Sequence, residues 1–207
     1  MLLPWGFIAV TFLTRFILRL EGVAGEPVGR LRYSRHKFGS RSSIERMTAD
    51  EIKRLLNLEP HPVEGGFYRR TYVSLGQVPL VRGPRPQGSA IYYLLEHGDF
   101  SEMHMLAVDE IYHFYLGDSV EMLHLYPNGG SAVFTLGPDL SAGEHVQLLV
   151  PAGTWQGARL AEGGNFALLG CTLTPGFDFE DYRGGNFAEL AEKWPQEAER
   201  IRVLTRR

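Results

Sequence analysis

Residues Gly98–Gly117, GDFSEMHMLAVDEIYHFYLG, decide how the rest of the chain is read. Two glycines bound the stretch, and between them stand His104, the pair Asp109-Glu110, His113 and a run of aromatics. Apolar and polar residues alternate from Glu110 to Tyr115, the period of a strand. A strand that turns its own ionisable groups inward lines a cavity more readily than a packed core, because an unpaired buried charge is costly. His104 and Glu110 are six residues apart. That even spacing puts both on one face of a continuous strand, and two strands side by side with a turn between them would do the same. An imidazole and a carboxylate on one cavity wall can hold a divalent metal, or act as a base and its orienter.

Working outward, the body is a succession of short apolar runs punctuated by Gly and Pro. Strands are expected at Phe67–Val73, Ala90–Leu95, Val120–Tyr126, Ala132–Leu136, Gln147–Val150 and Asn165–Thr174. Turns fall at Glu64-Gly65-Gly66, Pro127-Asn128-Gly129-Gly130 and Pro151-Ala152-Gly153, and residues 75–88 read as a loop. Helices are expected only at the ends. Thr48 with Glu51 forms a capping box for a helix to Leu58, and Phe187–Trp194 is a second helix followed by a polar tail, Pro195–Arg207, with some helical pattern. Many short strands at roughly 10-residue spacing predict an all-β sandwich or barrel.

Charge divides the chain in two. Residues 1–46 carry 8 Lys+Arg against 3 Asp+Glu, whereas residues 47–207 carry 13 against 21. The acidic body excludes the basic footprint of a nucleic-acid binder. The apolar run from Met1 to Leu13 is too short to span a bilayer as a helix, which takes about 20 residues. The Arg- and Ser-rich remainder has the composition of an organelle transit peptide. Three readings of residues 1–46 stay open: a disordered extension or upstream start before Met47, a targeting segment, or a secretory or membrane-associated leader. The body, residues 47–207, is expected to be cytoplasmic unless that segment directs it elsewhere. A single cysteine, Cys171, allows no intrachain disulfide.

The spacing carries a resemblance. Gly98, five residues, His104, two positions to Leu106, three residues, Glu110, six residues and Gly117 reproduce the first motif of the cupin superfamily. Pro151, Gly153 and Gln156 reproduce the second, Pro-x-Gly-x-x-His, with Gln in place of its His. Leu106 stands where the first motif has its second His. The segments HPVEGGFYRRTY, SAIYYLLEHGDFSEMH, VPAGTWQGA and GCTLTPGFDFEDY resemble the cupin subfamily catalogued only as a domain of unknown function. Met105 replaces the Arg which that subfamily usually carries after the motif His. The resemblance implies a cupin-type double-stranded β-helix, a jelly-roll barrel with short flanking helices, commonly a homodimer.

Candidate residues follow from parity and motif position. His104, Glu110 and Tyr112 are candidate catalytic groups: His104 as base, Glu110 as orienter or acid, and a Tyr as second acid. Glu64, Tyr68, Tyr93, Phe114 and Gln156 are candidate contacts to a small-molecule ligand. The pairs Tyr68/Arg70 and Phe67/Arg69 lie on opposite faces of one strand, and either pair can face inward. Asp109 is expected to be a turn or surface residue, His113 structural, Trp155 a rim or dimer aromatic, and Asp178, Glu180 and Asp181 a solvated acidic turn. Three functions are carried forward. One is proton transfer on a small polar molecule, resembling metal-free sugar epimerases of the cupin group. Another is a metal-dependent cupin holding a divalent metal on His104, Glu110 and Gln156. The third is a non-catalytic binding or structural protein.

Overall fold

A computed structural model describes residues 47–206. The expectations for residues 1–46 lie outside the described residues. The body opens with helix α1 (Ala49–Leu56). Its first turn is closed reciprocally: the Glu51 N–H donates to the Thr48 hydroxyl, and the Glu51 carboxylate accepts from the Thr48 N–H at 2.9 Å. Strands follow at β1 (Glu59–Pro60), β2 (Phe67–Val73), β3 (Gln77–Val78), β4 (Arg85–Pro86), β5 (Ser89–Glu96), β6 (Phe100–Leu106) and β7 (Glu110–Gly117). Then come β8 (Val120–Leu125), β9 (Ser131–Leu136), β10 (Gln147–Val150), β11 (Trp155–Leu160), β12 (Phe166–Leu173) and β13 (Tyr182–Gly184). Helices α2 (Phe187–Lys193) and α3 (Ala198–Val203) end the chain.

The strands form two antiparallel sheets that pack face to face as a jelly roll. One is six-stranded, ordered β1-β2-β5-β12-β7-β10, and the other five-stranded, ordered β13-β6-β11-β8-β9. Alternation decides which side chains meet between them. Tyr93 and Leu95 of β5, Leu169 and Cys171 of β12, Tyr112 of β7, Met122 of β8 and Ala158 of β11 form the inner cluster. The opposite parity of the same strands is covered by helices. Ile52 of α1 packs on Leu94 and Leu168 outside the six-stranded sheet. Leu190 of α2, Trp194 at its C-cap and Ile201 of α3 pack on Met103, Leu123 and Leu125 outside the five-stranded one.

Several expectations need correction. Residues 75–88 contain the small β3–β4 hairpin rather than a bare loop. The strands β6, β11 and β13 escape a pattern reading, whereas the helical pattern of the C-terminal tail corresponds to α3. Trp155 is buried in the outer cluster under α2 and α3, with the Arg183 guanidinium over its ring, not on a rim. Its parity is opposite to that of Gln156, so the two face opposite sides of β11. Asp181 is buried and held by Arg82 and Arg85, so it is not a solvated residue. The Arg85 guanidinium also donates to the Gly176 carbonyl, which ties β4 to the segment after β12.

Candidate functional site

His104 and Glu110 are neither on one strand nor side by side in one sheet. β6 lies in the five-stranded sheet and β7 in the six-stranded sheet, and the chain crosses from one to the other at residues 107–109. Their side chains therefore approach across the space between the sheets. At this end of the sandwich that space is not filled. A cavity of about 50 Å³ is lined by Glu64, His61, Tyr68, Arg70, Tyr93, Glu110, Cys171 and a largely apolar remainder that includes Ile91, Leu106, Leu173, Phe177 and Phe179. Such a volume admits roughly four waters or a small organic ligand.

Glu64 reaches the cavity from the turn between β1 and β2. Gly65 and Gly66 follow at φ +92° and +67°, a left-handed region where a side chain is strained, and this bend turns the carboxyl inward. The Gly66 N–H donates to Asp99 at 2.8 Å, and the Tyr93 hydroxyl donates to the Gly65 carbonyl at 3.0 Å. The Glu64 Oε1 atom lies 3.8 Å from His104 Nε2 and 3.9 Å from His61 Nε2. The two imidazoles differ in kind. His104 Nδ1 is 2.7 Å from the Glu102 carbonyl, which can only accept, so in the neutral ring the lone pair is on Nε2. His61 Nδ1 accepts from the Glu64 N–H at 3.0 Å, so its proton is on Nε2. Glu64 thus sits between one nitrogen that can take a proton and one that can give a hydrogen bond.

The charge states follow from burial. Burial pushes Glu64 up to about 8. Burial also raises Glu110 to about 7, with Glu64 adding to the rise and His104 and the Gln156 amide opposing it. His61 is driven down to about 4 by burial, with His104 and Arg206 contributing. His104 is lowered by burial against the opposing pull of Glu110. Near neutral pH both rings are uncharged and Glu64 holds its proton, so the close His–Glu contacts are not ion pairs. Glu110 is poised between its two states.

The other sequence candidates take distinct places. Tyr68 and Tyr93 line the cavity with Glu64 and Glu110. His104 is 1% exposed and sits behind Glu64, stacked on the Tyr182 ring at 5.4 Å. Tyr112 lies deeper, in the inner cluster beside Cys171, with Phe114 packed against that cluster. Gln156 does not line the cavity; its amide donates to Glu110 Oε2 at 2.6 Å, and its Oε1 is buried without a partner. Asp109 accepts from the Ala152 N–H at the exposed turn, and His113 points outward to Thr172. The parity left open on β2 is settled: Tyr68 and Arg70 line the cavity, whereas Phe67 packs under α1 and Arg69 lies over Tyr92.

Pattern reading missed His61, the place of Cys171 on the cavity wall, and the two phenylalanines there. It also missed His124, which pairs with Gln156 across β8 and β11 and has a buried Nε2 without a partner. The alternation Val120, Met122, His124 carries the signal for that residue; nothing local marks Phe177 or Phe179.

As a metal centre the donor set is short. Leu106, part of the apolar wall, occupies one ligand position of the motif, and Gln156 gives its amide nitrogen to Glu110. Among the described residues no group of three or more His, Cys, Asp or Glu is arranged to hold a metal ion. Metal sites of this kind take three or four protein ligands, so the residues present do not fit one.

Comparison with known proteins agrees with this architecture. Residues 50–184 match the family model described as Cupin superfamily (DUF985). The chain is 29% identical over 133 residues to the uncharacterized protein YML079W of Saccharomyces cerevisiae, covering 58% of this chain and 66% of the yeast protein, just under two thirds of it. Protein SO0799 from Shewanella oneidensis superposes with a TM-score of 0.71 at 38% identity, over 77% of this chain and 98% of that one. A hypothetical protein from Leishmania major superposes with a TM-score of 0.72 at 28% identity, over 78% and 100%. The motif spacing, the jelly roll and these matches agree, and the chain belongs to the DUF985 family of the cupin superfamily.

Proposed function

We propose that the cavity binds a small polar molecule and moves a proton at a carbon beside its carbonyl group, as an isomerase or epimerase does. The observation that carries this reading is a pair of buried, cavity-facing carboxyls without a cationic partner, held near neutral titration by burial. Groups so tuned can exchange protons at cellular pH. In the step we propose, the Glu110 carboxylate takes the proton of the C–H bond. The bond's electrons pass to the carbonyl oxygen, which accepts a hydrogen bond or the proton of Glu64. Reversal returns a proton to carbon. The same reversal returns the oxygen-bound proton to Glu64, whose carboxyl is oriented by the His104 Nε2 lone pair beside it, and Gln156 orients Glu110.

Deuterium uptake from D2O tests this without knowledge of the final product. Small oxo acids, aldoses and ketoses are incubated with the protein and their C–H signals followed by NMR. Wild-type protein should exchange at least one of them, and Glu110→Gln should lower the rate on the order of 100-fold or more. An unchanged rate in that variant would remove Glu110 from the chemistry.

A second copy of the chain is the proposed protein partner. β10 ends the six-stranded sheet, and Val146 and Leu149 are about half exposed there. An uncovered sheet edge with apolar side chains is a surface that pairing satisfies, and light scattering reads the mass directly.

A further inference from the structure

We propose that Arg70 anchors an anionic group of the ligand, so that the cavity takes a small hydroxy or oxo acid with a carboxylate or phosphate monoester at its mouth and its reacting end at Glu64 and Glu110. This rests on the assignment of the cavity as the binding site. Three observations lead to it.

Arg70 lines the cavity yet is exposed, so it marks the mouth. It has no carboxylate partner among the described residues, unlike Arg82 and Arg85, which hold Asp181. A guanidinium presents a planar fork of donors suited to carboxylate or phosphate oxygens. The register then places the two ends. Arg70 pairs with Ile91, Ile91 with Cys171, and Cys171 with Tyr112, so these four residues cross β2, β5, β12 and β7 in one row. Glu110 is two residues along β7 from Tyr112, on the same face. Three strand spacings and that step separate the backbones of Arg70 and Glu110 by roughly 15 Å of cavity floor. Between them lie Ile91, Cys171 and Leu173, which offer no charge. A ligand that uses both ends is bipolar, with an anion outside and a neutral oxygen inside. The inner acids support this polarity: the inner end offers a protonated Glu64 and the Glu110 carboxyl but no cation, so an anionic group is better placed at Arg70 than beside them. Met105 packs in the outer cluster and faces away from the cavity, and Arg70 is the cation among the lining residues that is placed to meet the ligand.

Thermal shift and calorimetry on the full chain test the anchor. The probes are two- to five-carbon hydroxy- and oxo-carboxylates and glycerol phosphate, with each carboxylate's primary amide and free glycerol as neutral controls. At about 10 mM, at least one acid should raise the melting temperature of the wild type while its neutral control does not. Arg70→Gln should weaken that acid about tenfold or more, with Arg70→Lys between the two, and the unliganded melting curve should be unchanged. Glu110→Gln should keep the affinity within about threefold while losing deuterium exchange, which separates failure of the anchor from failure of the proton-transfer reading. Equal binding of acids and neutral controls, undiminished binding by Arg70→Gln, or no stabilisation of the wild type by any probe would each overturn the proposal. A carboxylate-only or phosphate-only response identifies which anion the fork accepts.

Discussion

Two places in this molecule bury carboxyl groups, and they are built in opposite ways. Asp181 is 5% exposed and meets two guanidinium groups, those of Arg82 and Arg85. Glu64 and Glu110, at 9% and 5%, meet two neutral imidazoles, an amide and apolar walls. Burial alone therefore does not mark a functional acid. Where a cation accompanies the carboxylate, the pair is a clamp: it ties β4 and the residues before it to the segment after β12. Where no cation accompanies it, desolvation is left uncompensated and appears as a raised pKa. That uncompensated cost is the kind of local conflict sequences retain at working sites.

The sharpest way to break this contrast is to neutralise each acid and compare. Asp181→Asn should destabilise the fold by about 3 kcal/mol, because Arg85, whose side chain is only 9% exposed, loses its hydrogen-bonded carboxylate and keeps only the more distant Asp178 at 4.0 Å. Urea titration at neutral pH reads this. A loss below about 1 kcal/mol would show that water reaches Arg85 and that the clamp is not a buried ion pair.

The opposite sign is expected at Glu64. Its pKa is about 8 in the folded chain against an ordinary value of 4.5. Between those values the native state holds a proton that the unfolded state has released, so stability falls as pH rises through the window and levels off above it. Glu110, at about 7, adds to the same slope. Glu64→Gln keeps the shape and removes the titration, so it should stabilise the protein at pH 8 by on the order of 2 kcal/mol and leave pH 5 nearly unchanged. Urea titrations at the two pH values measure the difference. A wild-type stability that stays flat from pH 5 to pH 8 would show that Glu64 and Glu110 titrate as exposed acids do.

How much of this was visible in the sequence depends on how far apart the partners lie. The jelly roll was legible because its motif spacing and alternation are local, as at β2, β7 and β10. The helix start at Thr48 was legible because a capping box is a four-residue pattern. Strands β6 and β11 were missed because their inward residues are His104, Leu106 and Gln156, a mixture without clean alternation, and a bulge interrupts their pairing. The inward face of β2 could not be assigned because each parity carries an arginine and at least one aromatic. Asp181 was misread because its partners are nearly 100 residues away, in and beside the β3–β4 hairpin, within a segment rich in Gly and Pro. Distance along the chain likewise hid the meeting of His104 with His61 and Glu64, which depends on the turn at Gly65 and Gly66.

The smallest effect separates local order at the site from global stability. Glu102 connects the groups of interest: its N–H donates to the Glu64 carbonyl at 2.8 Å, its carbonyl accepts from His104, and its carboxylate accepts from the Arg206 N–H at 2.9 Å. Arg206 also donates to the Val63 carbonyl at 3.1 Å and lies over the Phe100 ring. Because the Arg206 side chain is 45% exposed, Arg206→Ala should cost less than about 1 kcal/mol in a urea titration. Its consequence should be local: faster amide hydrogen exchange at Glu102 and Gly66, with exchange at Leu94 and Leu169 unchanged. Uniformly faster exchange would make Arg206 a general stabiliser. Unchanged exchange at Glu102 would mean that the turn carrying Glu64 is fixed by Gly65, Gly66 and Asp99 without help from the C-terminal tail.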